Sequence, residues 1–315
     1  MHYDVVSYSN ANIDILIKVN KMPSYDDKLK GELIGRFPGG TMANYACAAS
    51  KLGLKAAWTG SLGNDDTGQI IINDFLEYNV DVSTIIRNKQ DTMFAVILID
   101  DTGERSIVVV PTFSEPKELT IEQKKQISKA KIFYTGPYKE INFLSTAKWA
   151  RNNDTLVMID VELTSALSSV AEMQEACSAS DIVIFNQSVL AELYDIDFKN
   201  TINYKSIIDL LRSITAKNNT ILTGVTMGSK GSLVVNDKNE SNYFPGFNLK
   251  VIDTTGAGDC FNAALTKGIL ENWDIEDLNI YANAAGALAT QGLASRGSIP
   301  NHERIMQFIK NNKME

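Results

Sequence analysis

From about residue 121 onward, short apolar runs alternate with segments whose apolar residues recur at helical spacing, and this alternation limits the possible folds more than any other feature. The strand-like runs are residues 132–135, 156–160, 182–185 and 220–224, and the helix-like segments are residues 141–151, 167–177 and 206–216. Successive strand–helix–strand units are right-handed and place their strands in parallel, with the helices covering the sheet. The pattern therefore predicts an α/β fold with a doubly wound, largely parallel sheet, followed by helices at residues 257–271, 275–291 and 302–310.

The first third of the chain contains more β-rich segments than one parallel sheet can accommodate. These segments are residues 13–19, 28–36, 92–99 and 105–110, and residues 100–104 have the composition of a hairpin loop. We expect a small separate sheet that acts as a lid, formed by about residues 13–38 and 92–112. Because exposed sheet edges are pairing surfaces, we also expect a homodimer that forms through the lid. No repeat, low-complexity tract or linker divides residues 1–315, which predicts a single domain.

The composition narrows the function classes. The 315 residues carry a formal net charge of −8, and this argues against nucleic-acid binding, which needs a clustered basic face. The sequence has no apolar run of the ~18 residues that a membrane span requires, and its first residues lack the features of a signal peptide. Cys47, Cys177 and Cys260 form no closely spaced pair, so we expect reduced thiols and a cytoplasmic protein.

A glycine-rich turn at residues 253–259 carries the strongest chemical signal. It reads Asp-Thr-Thr-Gly-Ala-Gly-Asp and leads into a helix-like segment. The free N–H groups at a helix N-terminus, together with the helix dipole, form an anion site, and Asp259 adds a proton acceptor beside it. Phosphoryl transfer to an alcohol needs this combination. The alternative is a turn in which Asp259 only caps the helix. The glycine spacing matches neither the P-loop nor the dinucleotide-binding fingerprint.

This turn, taken with Phe261, resembles the C-terminal signature of the ribokinase-like (PfkB) carbohydrate kinases. A second signature of that family lies upstream, at Gly39, Gly40, Asn44, Ala46, Leu52, Gly53, Gly60, Gly63, Asp65 and Gly68. The resemblance extends over nearly the whole chain, from Asn12 and Asp14 to the Ser298-Ile299-Pro300 element. It implies the doubly wound α/β fold with a small β lid, ATP as the phosphoryl donor, Mg²⁺ as the ion that bridges the phosphates, and a small sugar or sugar derivative as the acceptor.

The resemblance also assigns residues to roles. It makes Asp259 the general base and the amides of Gly256, Ala257 and Gly258 the anion hole. The expected ligands of the substrate hydroxyls are Asn12, Asp14, Gly39, Gly40 and Asn44. Asn12 and Asp14 would lie on the same face of one strand, although a lone acid in an alternating strand is also typical of a solvent-facing position.

The expected nucleotide contacts are Asn186, Thr226, Gly228, Gly231 and Asn283. For Asn283 a packing role remains open, and the segment around Gly228 could be an ordinary turn. Asp253 and Thr255 match positions that ligate a monovalent cation such as K⁺ in some members of the family. Ordinary turn chemistry is the alternative for both residues.

Two features depart from the family pattern. The family often has Asn-x-x-Glu near Mg²⁺, and here Val189 stands at the glutamate position. Glu192, three residues further on, and the acidic pair Asp160 and Glu162, at the end of a predicted strand, are the acids that could compensate. The segment at residues 39–44 lacks the lysine and glycine of ribokinase itself, which leaves the acceptor open. Arg105 and Lys28 could bind an anionic substrate or be solvated charges. A nucleoside kinase that uses Phe94 and Phe113, and a catalytically silent sugar or nucleotide sensor, are the alternative functions.

Overall fold

A computed structural model describes residues 2–102, 104–113, 118–138, 142–162, 169–198 and 202–312. Within these ranges, eight strands form the central sheet, in the order β14-β13-β12-β11-β10-β9-β1-β4. Their bounds are β1 (Tyr3–Tyr8), β4 (Ala56–Thr59), β9 (Ala130–Thr135), β10 (Leu156–Val161), β11 (Ile182–Asn186), β12 (Leu222–Thr226), β13 (Ser232–Asn236) and β14 (Ser241–Phe244). The six strands from β4 to β12 are parallel, and β13 and β14 add an antiparallel edge.

The strand order reverses at β1, which pairs with β4 on one side and with β9 on the other. Ligands of open α/β sheets bind outside the carboxyl ends of the strands at such a switch point. The topology therefore directs attention to the loops that follow β1, β9 and β10.

Helices cover both faces of the sheet. Their bounds are α1 (Thr41–Lys51), α2 (Asp66–Glu77), α3 (Ile121–Ile127), α4 (Phe143–Arg151), α5 (Val170–Ser178), α6 (Gln187–Tyr194), α7 (Tyr204–Asn218), α8 (Ala257–Leu270), α9 (Ile275–Ala289) and α10 (His302–Asn311). One apolar core packs α1, α2, α8, α9 and α10 against one face, and a second packs α3 to α7 against the other. Buried alanines such as Ala46 and Ala263 allow α1 and α8 to lie close together, and Tyr45 of α1 shares a hydrogen bond of 2.8 Å with Thr266 of α8.

A second, four-stranded sheet has the order β3-β2-β7-β8, with β2 (Asn12–Val19), β3 (Gly31–Gly39), β7 (Phe94–Ile99) and β8 (Arg105–Val110). The pairs β2–β3 and β7–β8 are antiparallel, as the alternating patterns predict, whereas the central pair β2–β7 is parallel. Its own small core contains Leu16, Ala95 and Ile97. Two short strands, β5 (Ser61–Gly63) and β6 (Ile86–Asn88), pair separately.

The predicted fold class is confirmed, and most elements lie within a few residues of their predicted bounds. The sequence patterns missed α3, α6, the β5–β6 pair and the β13–β14 edge, because short elements carry too few residues to show a period. The predicted starts of α4 at residue 141 and of α5 at residue 167 lie outside the described residues. In the part of the chain that the structure describes, no helix has the length and apolarity needed to cross a bilayer.

Candidate active site

The glycine-rich turn opens α8 at the carboxyl-end side of the central sheet. Gly256 is the N-cap and has a φ of 81°, and a Cβ added there would lie 2.4 Å from the carbonyl oxygen of Ser295. Only glycine fits this left-handed, crowded position. By contrast, a Cβ added at Gly258 would meet no atom within 4 Å. The backbone at Gly258 therefore borders open space in which an anion could approach the helix N-terminus.

Asp259 lies in the first turn of α8, is buried, and accepts a hydrogen bond of 2.8 Å from Asn44 Nδ2. Burial, with the like charge of Glu162, raises the pKa of Asp259 to about 8, against opposing contributions from the Asn44 hydrogen bond and from Arg296. A carboxyl group with such a pKa can exchange a proton near neutral pH. Helix α1 carries Asn44 and packs against α8, so residues that are far apart in sequence meet at one point.

The residues predicted to bind substrate hydroxyls come together, and one of them, Asn44, contacts Asp259. Asn12 Nδ2 donates a hydrogen bond of 2.6 Å to Asp14 Oδ1, which confirms that both side chains share one face of β2. Gly39 lies opposite Asn12 in the strand pairing, and a Cβ there would be 2.4 Å from Asp14 Oδ2. Gly40 is the N-cap of α1, with a φ of 101°. Burial raises the pKa of Asp14, although the Asn12 hydrogen bond opposes that increase.

Two residues that sequence analysis missed fix the orientation of Asn44. Its Oδ1 accepts hydrogen bonds of 3.0 Å from Ser295 Oγ and from Arg296 Nε, so its amide Nδ2 must face Asp259. The buried Arg296 side chain also pairs with Asp74 and lies over the Phe75 ring at 5.3 Å. The only sequence signal was proximity to the Ser298-Ile299-Pro300 element, because a buried ion pair between distant residues has no local pattern.

A cleft of about 680 Å³ contains all five residues predicted to contact a nucleotide, together with Ala257 and Gly258 of the anion turn. The five are Asn186, Thr226, Gly228, Gly231 and Asn283. Asn186 and Thr226 are paired neighbours at the carboxyl ends of β11 and β12. Gly231 has a φ of 87°, and a Cβ there would be 1.9 Å from the Phe244 carbonyl oxygen. The volume lies within the range of small-molecule sites. A Cβ added at Gly228 would meet no atom within 4 Å, so the backbone there is open to a phosphate chain.

Local hydrogen bonds account for part of this set. Asn283 Nδ2 donates to Ser232 Oγ at 2.6 Å and to the Asn279 carbonyl oxygen at 2.8 Å. Both hydrogen atoms of its amide group are therefore used within the protein, as a packing role for Asn283 requires. Asn186 Oδ1 accepts the Ser188 N–H at 3.0 Å and caps α6. Both residues nevertheless line the cleft, so these local hydrogen bonds do not remove them from the candidate site.

Asp253 and Thr255, the predicted cation positions, are held by an arginine of the small sheet. Arg105 Nη1 lies 2.7 Å from Asp253 Oδ1 and 2.9 Å from Thr255 Oγ1, and Nη2 lies 2.7 Å from Thr254 Oγ1. Arg105 was a candidate for binding an anionic substrate, and here its guanidinium is engaged by the protein. Lys28, the other candidate, is exposed.

Val189 and the acidic residues that could compensate for it differ in their surroundings. Val189 is 3% exposed and belongs to the apolar core under α6, while Glu192 is exposed. Asp160 is buried, and burial together with the charges of Glu162 and Asp259 raises its pKa well above its usual range. Among the described residues, no group of three or more His, Cys, Asp or Glu side chains could hold a metal ion.

The arrangement has two sides that meet at the glycine turn. On one side lie polar side chains suited to a polyol, and on the other lies a cleft with glycine-lined backbone suited to phosphates. Asp259 lies at the junction, next to the helix N-terminus and in contact with Asn44 of the polyol side. Such a site can bring a hydroxyl group and a phosphoryl group together beside a proton acceptor.

Comparisons with known proteins agree with this chemistry. The pfkB family carbohydrate kinase profile matches residues 3–302. The chain is 26% identical over 309 residues to an ATP-dependent ribose-1-phosphate kinase of Halopiger xanaduensis, with 97% of each chain covered. It is also 26% identical over 308 residues to a ribokinase of Haemophilus influenzae, with 96% of each covered. The crystal structure of a ribokinase of Thermotoga maritima is similar, with a TM-score of 0.79, 26% identity, and 98% of this chain and 100% of that chain covered.

Proposed function

We propose, from the premise that the chain belongs to the pfkB family of carbohydrate kinases, that this ATP-dependent sugar kinase uses Asp259 as the base that accepts the proton of the acceptor hydroxyl. The contact that carries this proposal is the 2.8 Å hydrogen bond between Asn44 and Asp259. This contact supports the proposal because it joins the carboxyl group in the first turn of α8 to Asn44, one of the residues proposed to orient the acceptor. A carboxyl group that only capped α8 would need no such partner from α1.

In the proposed reaction, ATP supplies the γ-phosphoryl group and leaves as ADP. The acceptor oxygen forms the new P–O bond, the bond between the γ-phosphorus and the β–γ bridging oxygen breaks, and the hydroxyl proton moves to the Asp259 carboxylate. The amides of Gly256, Ala257 and Gly258 bind the negative oxygens of the transferred group. Asn12, Asp14, Gly39, Gly40 and Asn44 orient the acceptor. Because the pKa of Asp259 is about 8 without ligands, the proton-accepting form of the free protein increases through neutral pH.

Mg²⁺ usually accompanies ATP in this family, and it would neutralise phosphate charge in the cleft. Val189 cannot contribute a ligand because it has no polar atom and is 3% exposed in an apolar core. Asn186 lines the cleft, and Glu162 is close enough to raise the pKa values of Asp160 and Asp259 by its charge. We infer that Asn186 and Glu162 face the metal–nucleotide complex.

The small sheet is proposed to be a lid over the acceptor, made by about residues 13–38 and 92–112. It carries Asn12 and Asp14 on β2, so its position controls the acceptor site directly. Its edge strands β3 and β8 expose apolar residues, including Leu33 at 56% and Val109 at 59%. Since exposed edges with apolar side chains are sites of strand pairing, we propose a homodimer in which the lids are in contact.

The identity of the molecule that is phosphorylated distinguishes a sugar kinase from the alternative functions. Phe94 and Phe113, which could stack on a nucleoside base, are both partly buried, and Phe94 belongs to β7 of the small sheet. The intact Asp259 and glycine turn argue against a silent sensor. The names of the relatives make ribose and phosphorylated ribose the first acceptors to examine.

A panel assay tests the proposal. ADP release is measured with MgATP and pentoses, hexoses, sugar phosphates, aldonates or nucleosides, and the phosphate ester is identified by ³¹P NMR. We expect acceptor-dependent ADP release with a sugar or sugar derivative. Turnover with nucleosides alone would favour the nucleoside kinase. ATP binding without turnover on any acceptor would favour the sensor.

A further inference from the structure

Arg105 joins the small sheet to the turn that precedes the anion site. It is the first residue of β8, and its guanidinium contacts the side chains of three consecutive residues, Asp253, Thr254 and Thr255, at 2.7–2.9 Å. These three hydrogen bonds fix the orientation of the Arg105 side chain, because its planar guanidinium can donate to all three partners in only one orientation. Among the residues that the structure describes, no other strand of the small sheet forms an ion pair with this turn.

Asp253 Oδ1, the carboxylate oxygen that Arg105 contacts, is fully occupied while Arg105 is in place. Its Oδ1 accepts the Thr255 N–H at 2.9 Å, the Thr255 hydroxyl at 2.7 Å and Arg105 Nη1 at 2.7 Å. Its Oδ2 accepts the Ala294 N–H at 2.9 Å. A carboxylate has about four acceptor positions, two on each oxygen, so three donors saturate Oδ1 while Oδ2 accepts one donor and keeps one position. The oxygens of Asp253 and Thr255 that would face a monovalent cation are therefore occupied by the Arg105 guanidinium.

The charge at Asp253 matters for the anion site. Burial would raise the pKa of Asp253, but hydrogen bonds from Thr255 and Ala294 and the charge of Arg105 lower it below its ordinary value. The carboxylate is thus ionised, three residues before Gly256. An uncompensated negative charge at that distance would oppose the binding of phosphate oxygens, and the Arg105 guanidinium compensates it.

Asp253 also connects Arg105 to the proposed base. Ala294, which Asp253 Oδ2 holds, has a φ of 62°, a conformation that few residues other than glycine adopt. The next two residues, Ser295 and Arg296, hold Asn44 Oδ1, and Asn44 contacts Asp259. A shift of Asp253 would therefore reach both the anion turn and the side chain that orients Asp259.

We infer that Arg105 is a tethered cation and a positioning residue. It takes the place that a monovalent cation would have at Asp253 and Thr255, and it fixes the anion turn when the small sheet is docked. The inference rests on the proposed function of this site. It predicts an enzyme that needs no inorganic monovalent cation, because the small sheet supplies the charge.

The test compares wild type with Arg105→Met, which keeps an unbranched, flexible side chain and removes the charged guanidinium. Kinetics are measured in KCl and in tetramethylammonium chloride at equal ionic strength. We expect wild type to behave alike in both salts. In tetramethylammonium, kcat/KM of Arg105→Met should be roughly 10–100-fold below that of wild type. Added K⁺ or guanidinium ion should raise kcat/KM of the variant and recover about a tenth or more of the lost activity. Lys18→Ala removes the exposed 3.1 Å ion pair to Asp101 on the same sheet and serves as the control with no K⁺ effect.

A second measurement needs no turnover, so it separates this inference from the proposed function. Without nucleotide, 100 mM K⁺ should raise the Tm of Arg105→Met by about 2 °C over tetramethylammonium and leave wild type unchanged. Strong K⁺ activation of wild type, or a folded Arg105→Met that is fully active in both salts, would overturn the inference. If Arg105→Met does not fold, ²⁰⁵Tl NMR of wild type decides: no bound Tl⁺ is expected, and Tl⁺ that K⁺ displaces would refute the tethered cation.

Discussion

Replacing Asp259 by Asn should stabilise the protein, and the gain should depend on pH in a defined way. The folded state raises the pKa of Asp259 from its ordinary value of 3.8 to about 8, chiefly through burial and then through the charge of Glu162. Between these values the folded protein holds a proton that the unfolded chain has released. Asparagine is close in shape to a protonated carboxyl group and can still accept the hydrogen bond from Asn44. The substitution therefore leaves the folded state nearly unchanged and removes the ionisation that favours the unfolded state.

The expected magnitude follows from the two pKa values. The free energy of unfolding of wild type should fall, relative to that of Asp259→Asn, by about 1.4 kcal/mol per pH unit between the two. From pH 5 to pH 8 the difference should grow by up to about 4 kcal/mol, and above pH 8 it should level off. Well below the ordinary value of 3.8, where both states are protonated, the two proteins should be equally stable apart from the amide change itself.

Urea unfolding of both proteins at pH 4, 5, 6, 7 and 8 measures the difference. Asp237→Asn, at an exposed turn position, is the matched control and should show no such growth. A difference between wild type and Asp259→Asn that stayed constant from pH 5 to 8 would show that the carboxyl group ionises normally in the folded protein. That result would refute the reasoning from burial.

Four further predictions concern Glu162, Val189, the response to free Mg²⁺ and the lid. Glu162→Gln removes a charge that raises the pKa of Asp259, so the acid limb of the kcat/KM profile should move to lower pH; an unmoved profile would contradict the coupling. Val189→Glu places an acid in an apolar core and should destabilise the protein by roughly 2–5 kcal/mol, measured by urea unfolding with Val189→Leu as the control. The turnover of wild type saturated with MgATP should increase little when free Mg²⁺ is added. Light scattering at micromolar concentration should show a dimer that Val109→Lys disrupts; a wild-type monomer would exclude pairing through the lid.

Local sequence patterns were sufficient to predict the framework of the fold. The alternation after residue 121 reflects buried strands such as β11, in which four of five residues are buried, and this leaves a continuous apolar run. The glycine turn was visible because Gly256 and Gly258 meet two different backbone needs, a left-handed conformation and open space. The grouping of Asn12, Asp14 and Gly39 followed from strand periodicity and from the family resemblance.

Long-range polar contacts could not be predicted in the same way. Arg105 looked like a solvated charge or a substrate ligand, and its partners lie 148 to 150 residues further along the chain. Arg296 is buried between Asp74 and Asn44, and nothing in its sequence neighbourhood distinguishes it from a surface arginine. The burial of Val189 depends on how α6, an element the patterns missed, packs on β11. Each case depends on which elements become neighbours, which a single sequence does not encode locally.

The turnover of Asp259→Asn tests the central claim most directly. With MgATP and the best acceptor from the panel, kcat should fall by at least roughly 10²-fold while ATP affinity changes little, because the base is lost and the nucleotide cleft is intact. The stability measurements above establish that the variant is folded. Near-normal turnover of the folded variant would contradict the assignment of Asp259 as the base.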